Sequence, residues 1–172
     1  MGSFVQFLQD SAIAVFVGES PSILGYTTVL ALHAMGLAIV VGVSAAVALR
    51  ALGLIPGVPL APMLKLYPLI WVGFTVNALS GFALFAANAS NLLASAMFLI
   101  KMLLVFASVI AMEFLRVRLA RAAGTASGQI SIPVPASTQV LAFATLALWA
   151  SALISGRLTA YPNFVNTLLG LS

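Results

Sequence analysis

Three residues of this chain combine chemical reactivity with an apolar setting: His33 in LHAMGL, Lys101 in FLIKMLL and Arg157 in ISGRLT. An ionisable group inside an aliphatic run is costly to bury, so each needs a partner, water or a ligand. A neutral imidazole can ligate a metal or donate to a carbonyl. Lys and Arg bring positive charge, which suits anionic groups and carbonyl oxygens. His33 is the only histidine and there is no cysteine. That excludes disulfides, thiolate metal sites, iron–sulfur clusters, cysteine nucleophiles, covalently attached c-type haem and any site needing two imidazoles from one chain.

Three ligands fit this chemistry. The first is haem b, with His33 as axial ligand and Lys101 and Arg157 pairing with the propionates. Its second axial position would fall to a methionine (Met35, Met97 or Met102), to His33 of a second copy, or to nothing. The second is a quinone, with His33 and Lys101 donating to its carbonyls. The third is copper held by His33 and methionines, since thioethers suit Cu(I). Against these stands a ligand-free reading, in which His33 bonds a neighbouring helix and Lys101 and Arg157 reach lipid phosphates. Catalysis by the chain alone has little support. Paired carboxylates, a Ser–His–Asp arrangement and a Gly-rich phosphate loop are all missing from the sequence.

The elements that must position these residues follow from composition. Of 172 residues, 63% are hydrophobic and only 6% charged, against about a quarter charged in an ordinary soluble domain. The bilayer is the natural solvent for such a chain. The net charge of +4 is scattered, with no basic stripe to track a phosphate backbone, so a nucleic-acid partner is not expected. Apolar spans of about 22–49, 66–87, 92–114 and 138–158 each exceed the ~20 residues needed to cross a membrane. Residues 4–17 are too short and too polar to span, and predict a helix lying at the interface. Ser20-Pro21 starts the first span, GLIPGVPLAP ends it, and residues 124–137 form a Gly/Ser/Pro loop. The N-terminal segment lacks a basic region and carries Asp10, so the first span is expected to act as an uncleaved insertion signal. The expected fold is all-α, an integral membrane four-helix bundle with a short N-terminal interfacial helix.

Arg50 and Lys65 flank the first loop, and Arg116, Arg118 and Arg121 the third. Both loops are therefore expected in the cytoplasm, with both termini outside, in the bacterial periplasm. Counted from Ser22 and Leu92, His33 then lies about 17 Å and Lys101 about 13 Å from the outer ends of their spans. Arg157 is within a turn of the outer end of the fourth. The three are expected around one outward-facing polar pocket. Small residues recur at Ala34, Ala38, Gly42 and Ala46, and at Gly73 and Gly81 either side of Asn77, predicting close helix contacts. Asn77 is expected to bond a neighbouring helix, and Glu113 to pair with Arg116 one turn on.

Four segments carry a resemblance: LHAMGLAIVVG, LRALGL, FLIKMLLV and GRLTAY. Together they resemble a group of small uncharacterised bacterial four-helix inner-membrane proteins, distantly similar to the membrane domain of CopD-type copper-resistance proteins. The resemblance implies a four-helix bundle and points to His33, Lys101 and Arg157. The resulting expectation is a membrane subunit holding haem b or a quinone and working with a larger membrane partner. The alternatives are a ligand-free structural or assembly subunit, one form of which is a homo-oligomer, and CopD-like copper handling.

Overall fold

The computed structural model describes residues 2–19, 23–125, 134–159 and 161. Among the described residues there are eight helices and no strand. They are α1 (Gly2–Gln9), α2 (Ala12–Glu19), α3 (Tyr26–Ala51), α4 (Leu60–Leu64), α5 (Tyr67–Ala87), α6 (Ala89–Ala94), α7 (Ala96–Thr125) and α8 (Ala136–Leu158). Ser20-Pro21, residues 126–133 of the third loop and the tail from residue 162 lie outside the described residues.

Four stretches are long and apolar enough to cross a membrane: Tyr26–Ala51, Leu60–Ala87, Ala96–Ala123 and Ala136–Leu158. The shortest has 23 residues, or about 34 Å of helix against ~30 Å of hydrocarbon. At most 28% of the residues in each apolar window are buried. Most of the apolar surface therefore faces outward, where lipid and not water must solvate it. The chain is an all-α, multi-pass membrane protein.

The N-terminal segment folds as two helices where one was expected. The Ser11 hydroxyl donates to the Leu8 carbonyl at 2.7 Å and accepts the Ala14 N–H at 3.3 Å. It thereby ends α1 and caps α2. Gln9 Nε2 donates to Ser90 Oγ at 3.3 Å, and α1 packs on α6. On α2, Ala14 and Val17 are buried while Ile13 and Phe16 are exposed. Phe4 and Phe7 of α1 also point outward, as a helix at a lipid interface requires.

The helices sort into two compact units, Met1–Val40 with Leu69–Ala96, and Val41–Pro68 with Met97–Ser172. In the first, α3 and α5 meet backbone to backbone. A Cβ on Gly36 would lie 2.6 Å from the Asn77 nitrogen and 2.7 Å from the Gly73 oxygen. One on Gly73 would lie 2.8 Å from Ile39 Cγ2 and 3.0 Å from the Gly36 oxygen. Gly73, Asn77 and Gly81 thus form a contact face, as their spacing predicts. On α3 the face is a different one from that expected. Ala34 and Ala38 are exposed, and a Cβ on Gly42 would meet nothing within 4 Å. The contact runs through His33, Gly36 and Ile39 instead.

The second unit buries Ser44, Val47 and Ala48 of α3, Met112, Leu115 and Leu119 of α7, and Thr145, Trp149 and Ala152 of α8. Ser44 Oγ donates to Met112 Sδ at 3.1 Å and Tyr67 Oη to the Met112 carbonyl at 3.3 Å. Ser108 and Thr145 return their hydroxyls to the Leu104 and Leu141 carbonyls at 2.7 and 2.8 Å. An unpartnered polar group is costly in lipid, and these hydroxyls find internal partners. Arg116 pairs with Glu113 at 2.7 Å, as the i, i+3 spacing predicts, and its guanidinium lies over the Tyr67 ring.

Candidate functional site

His33 sits in the second turn of α3, and the ring is seated by α5. Its Nδ1 lies 2.9 Å from the backbone carbonyl of Asn77. The Asn77 side chain crosses back, its Nδ2 donating to the His33 carbonyl at 2.8 Å and lying 3.2 Å from Nδ1. Ser80 Oγ is 3.4 Å from Nδ1 and donates to the Val76 carbonyl at 2.6 Å. A Cβ on Gly81 would lie 2.9 Å from His33 Cε1. The glycine is therefore the floor on which the imidazole rests.

This geometry governs the tautomer. A carbonyl oxygen only accepts, so the 2.9 Å contact calls for a proton on Nδ1 and leaves the lone pair on Nε2. Histidines that ligate metals are commonly held this way, with the second ring N–H donated to a backbone carbonyl. The Asn77 amide also offers the other state. When Nδ1 is unprotonated it accepts from Nδ2, and Nε2 carries the proton. In either state Asn77 engages the Nδ1 edge of the ring.

Counted from the helix starts, the distances are shorter than those counted from Ser22 and Leu92. α3 begins at Tyr26, which places His33 seven residues, or about 10 Å, from its start. The chain turns through α6 before α7 begins at Ala96. Lys101 is therefore five residues, or about 7.5 Å, inside α7. Met35 lies about 200° round α3 from His33 and is 61% exposed, so it cannot serve the same ligand. Met97 and Met102 lie on α7, in the other unit.

Lys101 and Arg157 both belong to the second unit. The Lys101 side chain lies against Gly156 of α8, where a Cβ would touch its Cε at 3.5 Å and Nζ at 3.8 Å. The lysine therefore runs alongside the residue preceding Arg157, whose own side chain is exposed. His33 belongs to the first unit, where Asn77, Ser80 and Gly81 are its neighbours.

No protein-family model, curated protein or solved structure matches this chain. Function is therefore read from its own chemistry. Two features of that chemistry escaped sequence reasoning. The decisive acceptor at His33 is a backbone carbonyl, which no residue type announces. Arg50, expected only to mark the cytoplasmic end, is 4% exposed and donates Nε–H to the Val58 carbonyl, holding the first loop. A basic residue at a span end carries no signal that separates these roles.

Proposed function

We propose that this protein is a membrane subunit that holds a redox-active group at His33 and works with a larger membrane partner. A b-type haem is the group best suited to it. The supporting observation is the Nδ1–Asn77 carbonyl contact of 2.9 Å, the way a metal-ligating histidine is commonly held, which would make Nε2 the ligating nitrogen. Gly81 gives that ring its place. The reading rests on His33 and needs neither Lys101 nor Arg157. A quinone is the second reading, favoured by Asn77 Nδ2 at 3.2 Å from Nδ1. That amide supports the tautomer whose Nε2–H could donate to a quinone carbonyl. The proposed location is the bacterial cytoplasmic membrane, with the Arg50–Lys65 loop and the Arg116–Arg121 end of α7 inside and both termini in the periplasm.

Absorption spectra of the purified protein, oxidised and reduced, test the haem reading, and solvent extraction with chromatography tests the quinone. A haem spectrum is expected that His33→Ala abolishes and Gly81→Ala perturbs. Asn77→Ala should retain it, because the carbonyl that orients the ring belongs to the backbone. If the intact protein carries neither haem nor quinone, the His33–Asn77 contact is a structural tie and the redox reading fails.

A further inference from the structure

We propose that Lys101 and Arg157 form a binding site for a singly charged phosphate group, supplied by the headgroup of an anionic phospholipid. This goes beyond the redox reading and does not depend on it. Lys101 is rooted about 7.5 Å inside α7. Its ammonium lies beside Gly156, two residues from the end of α8 at Leu158, so the side chain carries its charge outward toward the helix end. The residue after Gly156 is Arg157, and their Cα atoms are about 3.8 Å apart. The Lys101 ammonium therefore lies beside the backbone from which the Arg157 side chain leaves α8, and the two long side chains could share one anion.

Among the described residues of the second unit, no acidic side chain pairs with either cation. The chain has three acidic side chains, Asp10, Glu19 and Glu113. Glu113 is the only one in the second unit. It is held by Arg116 at 2.7 Å and lies twelve residues, or about 18 Å, along α7 from Lys101. The surroundings match a lipid and not only its phosphate. Tyr161, 55% exposed just beyond α8, is the kind of aromatic residue that marks headgroup level. Ile154, about one turn before Arg157 on α8, is 61% exposed and offers apolar surface for an acyl chain. Paired basic side chains between helices at a membrane surface recognise anionic headgroups.

Native mass spectrometry of the full chain in detergent, titrated with phosphatidylglycerol or phosphatidylcholine, tests this. Phosphatidylglycerol should be retained well above phosphatidylcholine. Each cation is worth about 1 kcal/mol, so Lys101→Met and Arg157→Gln should each weaken retention about five-fold, and Lys101→Arg should preserve it. Thermal unfolding run in parallel shows that the variants remain folded. Inorganic phosphate at millimolar concentration identifies the source. If it leaves retention unchanged, the phospholipid headgroup stands. If it binds with the same dependence on Lys101 and Arg157 while phosphatidylglycerol does not, a soluble phosphate is the ligand and the lipid is overturned. Equal retention of both lipids, or retention indifferent to both substitutions, overturns the site.

Discussion

One methyl group at position 36 measures how closely α3 and α5 depend on each other. In Gly36→Ala the new Cβ would lie 2.6 Å from the Asn77 nitrogen and 2.7 Å from the Gly73 oxygen. Both are backbone atoms, so no rotamer change can relieve the clash. Restoring ordinary contact at about 3.4 Å requires α5 to retreat by about 3.4 − 2.6 = 0.8 Å. The same retreat would stretch the His33 Nδ1–Asn77 O contact from 2.9 Å and the Asn77 Nδ2–His33 O contact from 2.8 Å to about 3.6–3.7 Å, beyond hydrogen-bond range.

Overpacking of this kind costs about 1–3 kcal/mol, and two interhelical hydrogen bonds in a membrane add about 1.2. The better helix propensity of alanine returns up to about 1 kcal/mol. The net expectation is a loss of roughly 1–3 kcal/mol, a five- to 150-fold shift toward the unfolded state. Reversible denaturation in mixed micelles measures it. Gly42→Ala on the same helix is the control, because its Cβ meets nothing within 4 Å. That variant should be neutral or slightly more stable. Equal loss in the two variants, or none in either, would refute the close α3–α5 crossing.

Two further predictions use the same structure. Arg50→Lys should destabilise the protein nearly as much as Arg50→Ala, by about 1.5–3 kcal/mol for a hydrogen bond from a charged donor. The Nε–H that holds Val58 has no counterpart in lysine, so rescue by lysine would mean that only the charge matters. Topology can be read cleanly because the chain has no native cysteine. In intact cells a membrane-impermeant maleimide should label Asn91→Cys but reach Gly57→Cys only after permeabilisation, and the reverse pattern would invert the proposed orientation.

Sequence reasoning reached the spans because length and apolarity decide them. It also reached local pairs such as Glu113–Arg116, which helical geometry alone places together. It failed where one face had to be chosen over another. In a soluble helix the polar side names the solvent and the apolar side names the core. In α3 nearly every face is apolar, and lipid solvates leucine as well as a protein interior does. The Ala34–Ala38–Gly42–Ala46 spacing therefore looked as good a seam as His33–Gly36–Ile39. What separates them is the partner helix. Gly73 bares the α5 backbone opposite Gly36, and a single methyl would close that gap.

The same reasoning explains why the His33 site was only half legible. The residue type showed that an imidazole lay in an apolar span and needed a reason to be there. Its orientation comes from the Asn77 carbonyl, an atom every residue possesses, brought into range by the bare crossing at Gly36 and Gly73. The two glycines and the imidazole are thus parts of one device. Close approach of the backbones brings the carbonyl to 2.9 Å from Nδ1, Gly81 leaves room for the ring, and together they set the orientation of the imidazole. A substitution that only widens the crossing should accordingly disturb any ligand chemistry at His33 while leaving the histidine itself untouched.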